Sequence, residues 1–181
     1  AGPAIEKLRE SLAQRGLSVS SVNLYPGDMS ARAFDLTEQR IRAAIELARR
    51  LGAPVLTLPS GPATAPGTWA EAARLVATRV RSLLGPAEQA GVTLTLEAPH
   101  AHTLAEDLAQ AGRVFELVGD PRVACTFDTS HVQRGNRRPL AEAFQQLGVR
   151  VAHVHLRDTL RGEITVTPGK GDCDYLPFLH A

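Results

Sequence analysis

A chain of 181 residues, 44% of them hydrophobic and 22% charged, is long and apolar enough to bury a core. Its net charge of +1, with the signs interspersed, gives no argument for a nucleic-acid, acidic-partner or membrane-surface role. No apolar run approaches the ~20 residues of a spanning helix, and Cys125 and Cys173 lack a Cys-x-x-Cys spacing, so a reduced, cytoplasmic protein is expected.

In chain order, an amphipathic helix stopped by Gly16 precedes a first strand at 17–24. Asp35 with Glu38 reads as a capping box, opening a helix that buries Ile41, Ile45 and Ala48 and stops at Gly52. Residues 54–58 form the second strand. A helical stretch from Thr68 turns Leu75, Val76, Val80 and Leu83 inward and is predicted to break at Gly85-Pro86. The third strand, 92–97, leads to a second capping box, Thr103 with Glu106, whose helix uses Leu104, Leu108, Phe115 and Val118 and ends at Gly119. The fourth strand is 123–128. A helix with Pro139 in its first turn then ends at Gly148, and 149–156 is the fifth strand.

Short apolar runs alternating with helical patterns imply repeated βα units and a parallel sheet in one domain spanning 1–181. No Gly-rich phosphate turn follows a strand, which disfavours a doubly wound sheet. The unit length instead suits a (β/α)8 barrel of ~250 residues, of which this chain holds about five of eight strands. It starts at Ala1 and its last segment, 175–181, stops in mid-pattern, so it is expected to be part of a longer chain.

Three strands end alike. Period-two alternation puts Thr93, Thr95 and Glu97 on one face, then Ala124, Thr126 and Asp128, then Val151, His153 and His155. Each opposite face is oily and suits a covering helix. If the polar faces curl together, Glu97, Asp128 and His155 converge at the carboxyl ends of the strands, where barrel enzymes hold their chemistry. Two carboxylates and an imidazole suit Mn²⁺, Mg²⁺ or Co²⁺, and Zn²⁺ is also admitted. Lys170 reads as turn chemistry and Trp69 as packing, while His100 and His102 are too exposed in pattern to be assigned a role.

The segments Leu94-Thr-Leu-Glu97, Phe127-Asp-Thr-Ser-His131, His153-Val-His-Leu-Arg-Asp158 and Pro168-Gly-Lys-Gly-Asp172 together resemble the xylose-isomerase-like TIM-barrel superfamily. Within it they are similar to the sugar-phosphate isomerase/epimerase group, with ketose 3-epimerases, hydroxypyruvate isomerase and inosose dehydratase among its relatives. The resemblance implies that Glu97, Asp128 and His155 are three of four metal ligands, with Glu97 doubling as the base. It further implies that His131 contacts substrate hydroxyls and Arg161 binds substrate oxygens. The fourth ligand would be a glutamate on the last strand, beyond Ala181, and the five strands would be the third to seventh. The ketose epimerases carry a second glutamate near Thr103, which is absent here and argues against a free-ketose 3-epimerase.

The implied activity is metal-dependent isomerisation or epimerisation of a sugar, polyol ketone or small hydroxy-carbonyl compound through a stabilised enediolate. No membrane is involved, and a homo-oligomer is compatible with the reading. One alternative is a zinc phosphodiesterase resembling endonuclease IV, although the Asp-Arg-His-type segment expected after His155 is missing. Another is an inactive fragment, because an open barrel exposes two strand edges and part of its core. The chain alone is therefore expected to be poorly soluble or inactive.

Overall fold

The apolar five-residue runs become the strands of one parallel sheet in the computed structural model, which describes residues 2–136 and 138–181. Helix α1 (Gly2–Ala13) leads to β1 (Val22–Asn23), α2 (Asp35–Leu51) and β2 (Val55–Pro59). Then come α3 (Trp69–Gln89), β3 (Thr93–Glu97), α4 (Leu108–Val118) and β4 (Ala124–Asp128). Two short helices, α5 (Thr129–Asn136) and α6 (Leu140–Leu147), precede β5 (Val151–His155). A hairpin of β6 (Asp158–Leu160) and β7 (Glu163–Val166) and a last helix, α7 (Tyr175–Leu179), complete the described elements.

The sheet order is β1-β2-β3-β4-β5, with every neighbouring pair parallel. Sequential order is what a singly wound barrel requires and a doubly wound sheet, whose order reverses, does not have. Curvature is established by contacts across non-neighbouring strands. In a flat sheet β2 and β4 would lie roughly 10 Å apart and β1 and β5 roughly 19 Å apart. Instead the Thr57 and Thr126 hydroxyls meet at 2.8 Å, and Ser21, just before β1, reaches His153 of β5 at 3.0 Å. The sheet is a half-barrel with its polar face inward.

The oily face lies under the helices. Leu56, Leu58, Leu94, Leu96, Cys125 and Phe127 pack there against Ile41, Ile45, Val76, Val80, Val114 and Phe115 in one core cluster. Phe127 ties the C-terminal helix to it, stacking on Phe178 at 5.3 Å and meeting Phe144 edge-on at 5.7 Å. At the other end of the polypeptide order, β5 is only half-buried along its whole length, as an edge strand with one neighbour is.

Several local expectations are corrected. The first strand is two residues long rather than eight. Helix α3 continues through Pro86, because Leu83, Leu84 and Ala87 keep its buried face unbroken and packing offsets the lost backbone bond. Asp35 stands in the first turn of α2 and not at its cap, which is Phe34. The Thr103 box does not form either. The Thr103 hydroxyl donates to the His100 carbonyl and accepts from Ser60, so α4 starts later with Asp107 as its cap, accepting from Gln110 N at 2.8 Å. Strand ends at Glu97, Asp128 and His155 fall near the expected positions.

Phe127→Ala is expected to destabilise the chain by about 3–5 kcal/mol in urea denaturation, whereas Leu176→Ala, 71% exposed in α7, should stay within about 0.5 kcal/mol. Near-equal values for the two variants would show that α7 is not docked on β4.

Candidate active site

The inward curl brings three strand ends to one point. Glu97 and Asp128, 2% and 1% exposed, close β3 and β4, and half-buried His155 closes β5. His155 Nδ1 lies 2.9 Å from Glu97 Oε1 and 3.6 Å from Asp128 Oδ2. One ligand atom from each of the three side chains lies within 4.8 Å of the others. Two carboxylates this deeply buried demand positive charge. The Asp128 and Glu97 carboxylates push the His155 imidazole up to about 9, so its proton answers part of that demand. Burial opposes the charge on Asp128, but His155, the Ser130 hydroxyl and Arg157 outweigh it and hold the carboxyl below the usual range.

Glu97 Oε2 is buried and has no hydrogen-bond partner among the described residues. An unpaired carboxylate oxygen in such a place costs several kcal/mol unless a cation or a ligand proton meets it. Hard oxygen donors beside an imidazole fit a divalent cation, and the orphaned oxygen gives that fit a physical reason.

Asp128 divides its two oxygens between tasks. Oδ1 accepts from Ser130 N at 2.9 Å, Ser130 Oγ at 2.6 Å and His131 N at 3.2 Å, which starts α5 directly at the strand end. That start delivers His131, 3% exposed, beside the cluster. Burial and the neighbouring His100 lower the His131 imidazole to about 4. Oδ2 faces the opening and accepts from Arg157 Nε at 3.1 Å, while Arg157 Nη2 lies 2.8 Å from His131 Nε2.

The cleft at this end has a volume of about 470 Å³ and is lined by Asn23, Tyr25, Glu97, Asp128, His155 and Arg157 among others. Arg161 is not brought to it. With φ of +53° and Gly162 at +88°, Arg161 forms the two-residue turn between β6 and β7, and its side chain lines a different cleft with Gln133, Arg134 and Glu163. Arg157 reaches the cluster in its place. The period-two pattern continued from His155 to 157 carried that signal. His100, expected to be exposed, has a side chain only 14% exposed, and its Nε2 lies 3.8 Å from Glu97 Oε2. Its loop has no regular period, so the sequence carried no signal for it. His102 is exposed as expected, and Trp69 Nε1 donates to the Leu104 carbonyl at 2.8 Å as a packing residue.

The family model described as "Xylose isomerase-like TIM barrel" matches residues 1–181. No curated protein sequence matches. Among solved structures, a D-tagatose 3-epimerase-like protein superposes with a TM-score of 0.82 at 19% identity, covering 99% of this chain and 71% of that one. An L-ribulose 3-epimerase gives 0.78 at 22%, covering 96% and 60%. IolI protein with a bound zinc atom gives 0.81 at 18%, covering 97% and 66%. The chain thus spans about 60–71% of the length of these three structures.

Asp158, just after the cluster, organises the segment that follows. Its carboxylate is fully buried and accepts backbone N–H bonds from Gly169 at 2.8 Å, Gly171 at 3.0 Å and Cys173 at 3.0 Å. Burial alone would raise this carboxyl, but the backbone bonds outweigh it and lower it to about 2. Gly171 sits so close that a Cβ there would lie 2.1 Å from the Thr159 carbonyl, which explains the glycine. Since the folded value is depressed, the stabilisation is complete above the ordinary carboxylate range near ~3.9 and is lost as pH falls toward about 2. Asp158→Asn should remove that acid-limb dependence and speed hydrogen exchange at Gly169, Gly171 and Cys173. Unchanged exchange at these three amides would contradict the anchoring role.

Proposed function

The chain belongs to the xylose isomerase-like TIM barrel family, and from this premise we propose that it carries most of the active site of a divalent-metal-dependent sugar isomerase or epimerase. The observation that supports this best is the buried, unpartnered Glu97 Oε2 beside a second buried carboxylate and an imidazole. Glu97, Asp128 and His155 would hold the cation. When bound, it supplies Lewis-acid stabilisation of negative charge on a substrate oxygen.

The residues of the chain then divide the remaining work. Glu97 takes the proton from the carbon next to the carbonyl, since it lines the cleft and its buried Oε2 has no hydrogen-bond partner among the described residues. His131 and Arg157 orient substrate oxygens from the α5 side. Arg161, which lines a separate cleft, is proposed to act there only if the hairpin of β6 and β7 moves. The substrate is a small sugar-like hydroxy-carbonyl compound. This reading draws on the D-tagatose 3-epimerase-like protein and the L-ribulose 3-epimerase as fold relatives. The five strands are taken as the third to seventh of eight, with the fourth ligand on a strand outside this chain. A zinc-bound neighbour leaves Zn²⁺ beside Mn²⁺, Mg²⁺ and Co²⁺ as the candidate metals.

Titration calorimetry with Mn²⁺ is expected to give one site per chain, weakened more than about tenfold by Glu97→Gln, Asp128→Asn or His155→Ala. In the protein completed by its flanking strands, at least one of a panel of small hydroxy-carbonyl compounds, polyol ketones as well as free ketoses, incubated in D₂O with Mn²⁺ should gain deuterium beside the carbonyl. Glu97→Gln should lose that exchange by at least about 100-fold. Three tightly held zinc ions per chain with cleavage of abasic DNA, and no exchange into any ketose, would overturn the reading in favour of a phosphodiesterase.

A further inference from the structure

The loop after β3 carries a feature that the proton transfer at Glu97 does not require. The peptide group of buried Ala101 stands between two histidines. Its carbonyl faces His100 Nδ1 at 2.9 Å, and its N–H points to His131 Nδ1 at 3.3 Å. A carbonyl only accepts, so His100 carries its proton on Nδ1 and leaves a lone pair on Nε2. A backbone N–H only donates, so His131 accepts on Nδ1 and carries its proton on Nε2. One peptide thereby sets two neighbouring imidazoles in opposite tautomers. Their rings lie 3.7 Å apart between centroids and are tilted by 32°, so an acceptor and a donor stand side by side.

Both poles await a ligand. His100 Nε2 is met by the Tyr25 hydroxyl at 3.3 Å, and that tyrosine is 63% exposed. On the other pole, His131 Nε2 and Arg157 Nη2 lie 2.8 Å apart, and with the Nε2 proton that the Ala101 contact requires both are donors. Two donors cannot bond each other, and the backbone donor at Ala101 is fixed whereas the Arg157 side chain is 44% exposed. An acceptor oxygen shared by His131 and Arg157 resolves the conflict. The neighbouring Glu97 Oε2 is a buried oxygen without a hydrogen-bond partner among the described residues.

Resting on the reading of this cleft as a substrate site, we propose that His100 and His131 form a polarity-matched pair recognising a hydroxyl next to a carbonyl or carboxylate oxygen. The hydroxyl donates to His100 Nε2, and the adjacent oxygen accepts from His131 Nε2–H and Arg157. His100 is thus the specificity-determining residue that selects a hydroxylated substrate over its deoxy analogue. The rival occupant is a second cation, because ligand atoms of Glu97, His100 and His131 also lie within 4.8 Å of one another. A proton on His131 Nε2 argues against it.

Long-range ¹H–¹⁵N spectra of the histidine-labelled protein completed by its flanking strands, without metal, test the pair directly. His100 is expected as the Nδ1–H tautomer and His131 as the Nε2–H tautomer. Glycolate should shift both rings, and acetate, which lacks the hydroxyl, should shift His131 alone. Glycolate should bind at least about tenfold more tightly than acetate. His100→Phe should abolish that preference, and His100→Gln, which keeps an acceptor near the Nε2 position, should restore it. The same tautomer on both rings, or equal response to the two acids, overturns the proposal. So does a second equivalent of Mn²⁺ that disappears in His100→Phe. A chain that binds no Mn²⁺ yet keeps the tautomers and the glycolate preference sinks the proposed metal enzyme and supports the pair.

Discussion

The inward curl of the sheet is the constraint from which the rest follows. Thr57, Thr95 and Thr126 are fully buried, and their hydroxyls close a triangle with sides of 2.8, 2.7 and 3.1 Å. Each hydroxyl is satisfied by the other two, and Thr95 also reaches the Leu56 carbonyl at 3.2 Å. Buried polar groups are tolerated only when paired, so the three strands must bend until the hydroxyls meet. One residue pair further along two of the same strands, the bend brings Glu97 and Asp128 to His155. Without curvature the polar face would be a flat row of isolated carboxylates.

Electrostatics at the mouth then decides what the site holds. Two carboxylates almost devoid of solvent stand within reach of one imidazole and one guanidinium. The proton on His155 and the charge of Arg157 partly balance them. Glu97 Oε2 stays unanswered. Asp128 reconciles two demands by splitting its oxygens, one starting α5 and the other facing the cleft, so the strand end and the helix start are the same feature.

Loops complete the site by backbone bonds rather than by side-chain packing. The Ala101 peptide orients His100 and His131, and the Asp158 carboxylate gathers the amides of Gly169, Gly171 and Cys173. Both are cases of a polar group recruiting local backbone in place of regular structure. That preference also explains why Thr103 does not cap a helix, as its hydroxyl is engaged by His100 and Ser60.

The sequence by itself determined the strand ends, the faces on which Glu97, Asp128 and His155 lie, and the family, because alternation and ordered motifs are local and survive any folding detail. It also determined the barrel class, since repeated βα units leave few other architectures. Only the tertiary structure decided which arginine enters the cleft. Arg161 had the motif spacing, but a tight turn carries it to another cleft while Arg157 continues the inward face. It alone placed His100 beside Glu97, and it extended α3 through Pro86, because an irregular loop and a packed helix face are set by long-range contacts. Periodicity reports which face a residue takes on its own element. What meets that face depends on curvature, and curvature here is fixed by hydroxyls from three strands that are distant in sequence.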